Sequence, residues 1–341
     1  MSKKIIVTGG LGFIGSNLIE LLLQKKYFVI NIDKVTYSSN FYNVKNFNSL
    51  KNYRFIKCDI GNKKRIKDIF FKYKPKCIFN LAAESHVDRS IDNPKNFIQS
   101  NIVGVYNLLE NFKLFSKKYN SKLIHISTDE VFGDVLKGRT SENYPYNPSS
   151  PYAASKAASD HLVSSYMRTY KIPAIVTNCS NNYGPYQHIE KFIPRQITNI
   201  LSDVKPKLYG TGEQVRDWIH VDDHNSAVHM IIEAGVLGET YIIGADNDHV
   251  NNKMVIELIC ELMGKGKDWY EHVNDRPGHD MRYAMDSSKL RRDLGWTPVY
   301  TDNETGMRDG LSQTIDWYRD NQAWWQAQKQ AVEAKYAESG Q

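Results

Sequence analysis

The sequence predicts an α/β protein built on a doubly wound parallel sheet, with a smaller, mostly C-terminal α/β domain. Apolar, strand-like runs alternate with helical segments five times up to Ile126, which is the rhythm of parallel strands joined by helices. After about residue 180 this rhythm loosens, and Gly, Pro and aromatic residues become more frequent. The length of 341 residues also exceeds what one core usually fills.

These observations divide the chain into three parts. Residues 1–180 should form the sheet domain, with some later segments returning to it. Residues 181–325 should form the smaller domain, which would bind the substrate. Residues 326–341 form a polar tail that is rich in Ala, and we expect it to be a frayed helix.

Composition excludes several classes of function. The net charge is +6, but the basic residues are scattered, which favours at most an anionic small ligand and not a nucleic acid. The four cysteines lie far apart without a Cys-x-x-Cys motif, so we expect no disulfide framework, no metal site and a reducing, cytoplasmic location. No apolar run is long enough for a membrane span, and the early first strand leaves no room for a signal peptide.

A glycine-rich turn follows the first predicted strand, residues 4–8. Gly9, Gly12 and Gly15 are spaced as G-x-x-G-x-x-G and lead into the helical residues 16–24. Glycines there allow a tight turn and close approach to a pyrophosphate, which lies at the helix N-terminus. Because the motif stands between a strand and a helix, it predicts a dinucleotide site on a Rossmann sheet.

An acidic residue ends the second predicted strand. Asp33 follows the glycines by about 20 residues, where a carboxylate accepts the ribose hydroxyls and repels a 2′-phosphate. Lys34 beside it could tolerate that phosphate, but the carboxylate favours NAD over NADP. Asp59 and Ile60 follow the third strand and suit an adenine contact, although Asp59 would equally serve as a helix N-cap.

Tyr152 and Lys156 stand four residues apart, after a Pro-Ser-Ser-Pro segment that suits a helix start. Positions i and i+4 share a helix face, so the ammonium should lower the pKa of the phenol and let it take a proton near neutral pH. A Tyr-x-x-x-Lys pair is common on surface helices. Only in combination with the glycine fingerprint does it become specific.

A polar cluster follows the apolar run 122–126, a position that usually lies at the ligand-binding edge of a parallel sheet. Thr128, Asp129 and Glu130 are consecutive there, and a turn is needed to bring all three to one substrate. Two adjacent carboxylates are costly to ionise together in a dry site, so one could be held as a protonated acid. The alternative is a solvated acidic pair at a strand exit.

These features together resemble the extended short-chain dehydrogenase/reductase superfamily. Over residues 4–325 the chain is similar to the dTDP-glucose 4,6-dehydratase family within it, and the Asp-Glu pair is what marks the dehydratases. The segments that carry the resemblance are Ser-Thr-Asp-Glu-Val-Phe-Gly at 127–133, Asn-Leu-Ala-Ala-Glu-Ser-His-Val-Asp-Arg-Ser at 80–90, Cys-Ser-Asn-Asn-Tyr-Gly-Pro-Tyr-Gln at 179–187, Arg-Asp-Trp at 216–218 and Asp-Arg-Pro-Gly-His-Asp at 275–280.

The resemblance implies a reaction and a role for each catalytic residue. Tyr152, assisted by Lys156 and Thr128, would remove the proton from the 4-hydroxyl of the sugar while hydride passes from carbon 4 to NAD. Glu130 would take the proton from carbon 5, and Asp129 would protonate the departing hydroxyl of carbon 6. Hydride would then return to carbon 6, which gives a 4-keto-6-deoxy sugar for rhamnose-type deoxysugar synthesis and regenerates NAD.

The expected binding residues fall into two sets. The NAD set includes Ala82, whose small size allows close approach, and Ser100, where the family usually has Thr; its members are Gly9, Gly12, Phe13, Ile14, Gly15, Asp33, Asp59, Ile60, Ala82, Ser100, Tyr152, Lys156 and Asn181. The nucleotide-sugar set comprises Ser85, His86, Thr128, Lys191, Phe192, Lys207, Tyr209, Arg216, Asn251, Asp275, Arg276 and His279. Arg216 also has its own rationale, since a guanidinium can clamp phosphate oxygens, although a surface pair with Asp217 is the alternative.

Three other functions remain open at this level. A 4,6-dehydratase of another nucleotide sugar, such as UDP-glucose, would keep the same carboxylate pair. A nucleotide-sugar 4-epimerase needs only Tyr152 and Lys156, so the presence of Asp129 and Glu130 argues against it. A cofactor-binding regulator without catalysis would be free to lose all four residues.

Two long helical segments, 97–118 and 152–170, carry more apolar residues than one helix face needs. In the family that the chain resembles, these helices pair across a two-fold axis as a four-helix bundle, so we expect a homodimer. The alternative is that both helices are covered within the monomer. The apolar residues in question are Val103, Tyr106, Leu109, Leu162, Val163 and Tyr166.

Overall fold

The computed structural model describes residues 3–275, 278–300 and 304–338. Its strands are β1 (Lys4–Thr8), β2 (Phe28–Asp33), β3 (Tyr53–Lys57), β4 (Cys77–Asn80), β5 (Lys122–Thr128), β6 (Ala174–Cys179), β7 (Asn181–Tyr183), β8 (Lys207–Tyr209), β9 (Trp218–His220), β10 (Thr240–Ile243) and β11 (Glu271–Val273). Its α-helices are α1 (Phe13–Gln24), α2 (Lys63–Tyr73), α3 (Val87–Asp92), α4 (Lys95–Phe97), α5 (Val105–Ser116), α6 (Pro151–Tyr170), α7 (Phe192–Leu201), α8 (Val221–Ala234), α9 (Asn252–Leu262), α10 (Ser288–Leu294), α11 (Glu304–Asp320) and α12 (Gln322–Glu338).

Seven parallel strands form the central sheet in the order β10-β6-β5-β4-β1-β2-β3. Successive side chains of a strand point to opposite faces, and here both faces are apolar. Ile5 and Val7 pack on the side of α1 and α8, whereas Ile6 packs on the side of α2, α5 and α6. The predicted doubly wound Rossmann sheet is therefore confirmed.

The strand order reverses between β1 and β4: from β1 the sheet continues through β2 to β3 on one side, and from β4 it continues through β5 to β6 on the other. In doubly wound sheets the ligand crevice opens at this switch point, beyond the carboxyl ends of the strands. The last strand, β10, comes from residues 240–243 and completes the sheet beside β6. Later parts of the chain thus return to the sheet.

A smaller part of the chain has its own apolar core. It is built around α7, α9 and α11, with the two-stranded pairs β8–β11 and β7–β9 beside it. Helix α12 closes this core, because Trp325, Val332 and Tyr336 are buried in it. The polar tail is helical as expected, but the expectation that it is frayed is wrong for the described residues up to 338, because one face of α12 is apolar and buried.

The segment between α4 and α5 is a π-helix, Ile98–Gly104, so residues 95–116 run as one helical rod with a local widening. Such widenings are frequent at functional sites. Here it carries Asn101, whose side chain accepts from the backbone N–H of Glu84 at 2.9 Å and donates to Ser155 Oγ at 2.8 Å. The π-helix thereby ties the loop after β4 to α6.

The outer face of this rod stays partly uncovered. Val103 and Tyr106 are 38% and 43% exposed, whereas Leu109 and Val163 are fully buried within the monomer. Tyr166 is also buried, and its hydroxyl donates to Glu110 at 2.7 Å. Among the described residues, no helix has both the length and the apolar character that crossing a membrane requires.

Candidate active site

A cavity of about 380 Å³ opens at the carboxyl ends of the sheet strands, between the sheet and the smaller part of the chain. The structure brings nearly all the residues predicted from the sequence to this one cavity. From the sheet side it is lined by Gly9, Gly12, Phe13, Ile14, Gly15, Asp33, Asp59, Ile60, Ala82, Ser85, His86, Ser100, Thr128, Asp129, Glu130, Tyr152, Lys156 and Asn181. From the other side it is lined by Lys191, Phe192, Tyr209, Arg216 and His279.

The glycine turn has the geometry that a dinucleotide phosphate requires. A Cβ on Gly15 would lie 2.4 Å from the carbonyl oxygen of Gly9, so only glycine fits where α1 approaches β1. Gly9 has φ of +74°, and a Cβ there would meet the backbone of Ala82 at 2.9 Å. Helix α1 begins after Gly12 without a side-chain cap, so its first N–H groups are available to an anion.

The end of β2 fits NAD. Asp33 is held in place because its carboxylate accepts from Leu11 N at 3.0 Å and from Ser39 Oγ at 2.9 Å. The ammonium of Lys34 donates to Ser100 Oγ at 2.6 Å and lies 3.1 Å from a carboxylate oxygen of Glu84. Lys34, whose charge could have tolerated the 2′-phosphate of NADP, is therefore paired with the carboxylate of Glu84. Deeper in the cavity, Asn181 Oδ1 is buried without a hydrogen-bond partner among the described residues.

The three consecutive polar residues lie on the turn that the sequence requires. Strand β5 ends at Thr128, and a 3₁₀-helix, Asp129–Phe132, follows at once. Gly133 ends it with φ of +69°, where a Cβ would come 2.0 Å from the carbonyl oxygen of Asn147. Because the backbone turns at Asp129, Thr128, Asp129 and Glu130 all line the same cavity.

Asp129 is a buried carboxyl group with a raised pKa. Burial is the main reason why its pKa is raised to about 8, and the neighbouring Glu130 carboxylate raises it further. The hydroxyl of Thr128 donates to Asp129 Oδ1 at 3.1 Å, and Oδ2 is buried without a partner among the described residues. One of the two carboxyl groups is thus protonated at neutral pH, and the alternative of a solvated acidic pair is excluded.

Tyr152 and Lys156 lie on one face of α6, which starts as predicted: Pro151 is in its first turn, and Ser150 Oγ accepts from Ala153 N at 3.1 Å. The expected lowering of the phenol's pKa by Lys156 is wrong. The pKa of Tyr152 is raised, mainly by burial and next by the charge of Glu130. Burial also lowers the pKa of Lys156, whose ammonium donates to the carbonyl oxygen of Ile126 at 2.7 Å.

Arg216 is buried with its guanidinium 4.4 Å from the ring centre of Tyr283. Its Nη1 donates to Val215 O at 2.7 Å and its Nη2 to Asp280 O at 2.8 Å. Asp217 is fully buried, and burial raises its pKa well above the ordinary value. A surface ion pair between Arg216 and Asp217 is therefore excluded, and Arg216 presents a fixed cation to the cavity.

A buried ionic cluster lies beside the loop after β4. His86 Nε2 lies 3.0 Å from a carboxylate oxygen of Glu190, and Arg89 donates two hydrogen bonds to the same carboxylate. Burial works against ionisation of Glu190, yet these hydrogen bonds hold its pKa below the ordinary value. Burial is the main reason why the pKa of His86 is lowered, although the neighbouring Glu190 acts to raise it. Next to it, Lys191 Nζ donates to Ser85 O at 2.8 Å.

Some predicted substrate residues do not line the cavity. Lys207 forms an ion pair with Glu271. Asn251 caps α9 by accepting from Met254 N at 2.8 Å. Asp275 accepts from Gln214 Nε2 at 2.8 Å and lies 2.6 Å from the Nδ1 of the cavity residue His279. Arg276 is outside the described residues.

Sequence reasoning also missed several residues that line the cavity. Glu190 directly precedes Lys191, and Arg195 follows Lys191 by one helical turn. Their closeness in sequence to the predicted substrate residue Lys191 was the signal that could have found them. Tyr37 lies in the loop after β2, where Arg89 stacks on its ring at 3.8 Å. Tyr336 lies in the supposed tail, where only a spacing of four from Val332 indicated a helix face.

Comparison with known proteins agrees with this geometry. The family model described as GDP-mannose 4,6 dehydratase matches residues 6–309. The dTDP-glucose 4,6-dehydratase of Mycolicibacterium smegmatis is 47% identical over 343 residues, which cover 99% of this chain and 100% of that protein. The chain belongs to the dTDP-glucose 4,6-dehydratase family.

Solved structures of family members share the fold closely. The dTDP-glucose 4,6-dehydratase of Bacillus anthracis, in complex with NAD, is 42% identical with a TM-score of 0.87, over 96% of this chain and 99% of that chain. The Streptomyces venezuelae enzyme, also solved with NAD bound, is 38% identical with a TM-score of 0.88, over 94% of this chain and 98% of that chain. The predicted membership of the family is thus confirmed, and NAD is the cofactor that the family and this cavity share. Within the described residues, no group of three His, Cys, Asp or Glu side chains could hold a metal ion.

Proposed function

We propose that this chain converts dTDP-glucose into dTDP-4-keto-6-deoxyglucose, with loss of water, as a step in deoxysugar biosynthesis. The observation that carries the proposal is the pair Asp129 and Glu130, which shares one cavity with Tyr152 and Lys156 and has a pKa of about 8 at Asp129. Elimination of water needs one neutral acid and one base. A pair of adjacent carboxyl groups with separated protonation states supplies both.

Each of the catalytic residues then has a role in moving or holding a proton. Tyr152 takes the proton of the 4-hydroxyl. The hydroxyl of Thr128 is within hydrogen-bond reach of the phenol, and its single proton favours the phenolate when it turns there from Asp129 Oδ1. Lys156 donates to the carbonyl oxygen of Ile126 at 2.7 Å, near the end of β5, and assists Tyr152 from one helical turn away on the same face of α6. Glu130 takes the proton from carbon 5, and Asp129 gives its proton to the hydroxyl that leaves carbon 6.

NAD, when bound, would supply the acceptor and later the donor of the hydride. The chain would hold it with the glycine turn, with Asp33 and with the side-chain oxygen of Asn181, which has no hydrogen-bond partner among the described residues. Since Lys34 is engaged by Glu84, the site does not offer that cation to a 2′-phosphate.

Alternative reactions use less of this site. A 4-epimerase acts only at carbon 4 and has no use for an acid of pKa about 8 beside a second carboxylate. A dehydratase of UDP-glucose would use the same catalytic residues and differ only in its contacts to the base. The four cysteines are free, buried thiols, which supports a reducing, cytoplasmic location.

We also propose that two copies pair through the rod of residues 95–116 and through α6. Val103, Tyr106 and Leu114 are spaced by three and eight residues along the rod and are 38%, 43% and 44% exposed. Ile98 is 48% exposed on the same rod. Such a stripe, repeated by a two-fold axis, gives an isologous four-helix interface.

The test is incubation of the purified protein with dTDP-glucose, followed by mass spectrometry and NMR of the sugar. A product that lacks one water and carries a 4-keto group and a 6-methyl group is expected. Parallel incubations with UDP-glucose measure the preference for the base. Formation of dTDP-galactose instead would identify a 4-epimerase, and unchanged dTDP-glucose in the presence of NAD would contradict the proposal.

A further inference from the structure

Helix α12 reaches the active-site cavity, which no sequence pattern predicted. Trp324, Gln328 and Tyr336 line the cavity, and they share one face because they are separated by multiples of four residues. Trp325 and Val332 anchor the helix in the core of the smaller part of the chain. The wall of the cavity is therefore completed by the last helix of the chain.

Tyr336 supports the segment that precedes α7. Its hydroxyl donates to the backbone carbonyl oxygen of Glu190 at 2.8 Å, in a buried setting. The side chain of Glu190 is fixed independently by Arg89 and His86. Lys191 follows directly and reaches across the cavity to Ser85 O at 2.8 Å. The backbone that carries Lys191 is thus held from the side of α12.

Glu333 lies one turn before Tyr336 on the same helix and holds a second cavity residue, Arg195. Its carboxylate accepts from Arg195 Nη2 at 3.1 Å and from Lys329 Nζ at 2.9 Å. Arg195 is almost completely buried, and its Nη1 donates to the hydroxyl of Tyr209 at 3.2 Å. The guanidinium also lies 3.7 Å from the ring centre of Tyr336.

We propose that Tyr336 and Glu333 are positioning residues for the nucleotide sugar, because they hold the backbone before Lys191 and, through Arg195, the hydroxyl of Tyr209 in place. This inference rests on the proposed function. The residues through which they act, Glu190, Arg195 and Tyr209, lie in the segment before α7, in α7 and in β8, all in the smaller part of the chain. The glycine turn and Asp33, which would hold NAD, lie on the opposite wall.

Two conservative substitutions test the inference in the full-length protein. Tyr336→Phe keeps the ring beneath Arg195 and removes only the hydroxyl, so KM for dTDP-glucose should rise roughly two- to tenfold, the value of one neutral hydrogen bond. Glu333→Gln removes the charge that holds Arg195, and KM should rise roughly tenfold or more. In both variants, kcat and the amount of NAD retained should stay close to wild type, and Tm should fall by no more than in the core variant Val332→Ala, which has an unchanged KM.

Matched controls lie on the same helix. Val332→Ala shortens a buried side chain that packs only in the core, so it should lower Tm and leave KM unchanged. Gln330→Ala changes an exposed position and should alter neither quantity. A rise in KM that occurs only together with the loss of Tm or of NAD seen in Val332→Ala would mean a structural role alone, and would overturn the inference.

A double-mutant cycle shows whether Tyr336 acts through Lys191. In a Lys191→Met background, Tyr336→Phe should raise KM by much less than in wild type, because the group that it positions is gone. Fully additive effects overturn that route. If wild type converts dTDP-glucose and both single variants match its KM, the inference falls while the proposed function stands. If wild type does not convert dTDP-glucose at all, both fall.

Discussion

Replacement of Asp129 by Asn should separate proton removal at carbon 5 from loss of water at carbon 6. Asn keeps the size of the side chain and can accept the hydrogen bond that Thr128 donates at 3.1 Å. It has no acidic proton to give to the leaving hydroxyl. General acid catalysis contributes roughly 100- to 10,000-fold, so water loss should slow by that factor while Glu130 still exchanges the hydrogen of carbon 5 with solvent.

The pKa of about 8 at Asp129 fixes the pH at which the wild-type enzyme should lose the same acid. A raised carboxyl pKa means that the proton is present below about pH 8 and lost above it. One unit below the pKa, about ten molecules in eleven carry the proton, and one unit above it about one in eleven do. The elimination rate should therefore fall about tenfold between those two pH values, and this alkaline limb should be absent from the Asn variant.

The assay follows deuterium incorporation at carbon 5 and water loss from the same reaction, by mass spectrometry. Glu130→Gln is the companion variant, and it should oxidise carbon 4 but neither exchange nor eliminate. Tyr152→Phe should block the first oxidation as well. Asp92→Asn, an exposed carboxylate at the end of α3, is the matched control and should behave as wild type.

Two results would refute this reasoning. If Asp129→Asn eliminates water at the wild-type rate and keeps the alkaline limb, Asp129 is not the acid. If Glu130→Gln stops oxidation of carbon 4 as completely as Tyr152→Phe does, Glu130 positions the sugar and does not act at carbon 5. Loss of exchange in Asp129→Asn would mean that both protons move in one concerted step.

The remaining predictions concern cofactor, assembly and stability. The purified protein should retain NAD, and Gly15→Ala should lose it because its Cβ would lie 2.4 Å from Gly9 O; extraction of NADP instead would contradict the role of Asp33. Tyr106→Asp should convert a dimer into a monomer by light scattering, whereas a wild-type monomer at micromolar concentration would exclude the four-helix interface. Asp129→Asn should unfold at a higher temperature than wild type above pH 8, because the buried carboxyl group loses stability as pH rises towards its raised pKa of about 8.

Local patterns explain what the sequence could predict. The alternation of apolar runs, the glycine spacing and the Tyr-x-x-x-Lys pair are each set by neighbours within a few residues. The turn at Asp129 was predictable for the same reason, since three polar residues at a strand end cannot face one ligand without it. Helix α6 likewise begins at Pro151, where Ser150 and proline predict a start.

Long-range contacts explain what the sequence could not predict. The pKa of Tyr152 is raised mainly by burial and next by the charge of Glu130, although Lys156 lies one turn away on the same helix. Leu109 and Val163 were predicted to be available for an interface. They are buried in one apolar core, because their helices pack on the same face of the sheet. Helix α12 was assigned to a tail since its partners, such as Glu190, lie more than a hundred residues earlier in the chain.

The late arrival of β10 has a consequence for synthesis on the ribosome. Strand β6 ends at Cys179, and its outer neighbour β10 ends at Ile243, which is 64 residues later. At about 5 to 20 residues per second, the outer edge of β6 has no partner strand for roughly 3 to 13 seconds. That edge is entirely apolar or neutral in sequence, Ala-Ile-Val-Thr-Asn-Cys, and an unpaired edge of this kind is a template for aggregation. Slower translation, as in expression at low temperature, prolongs this exposure, so soluble yield should depend on whether chaperones cover the edge during that interval.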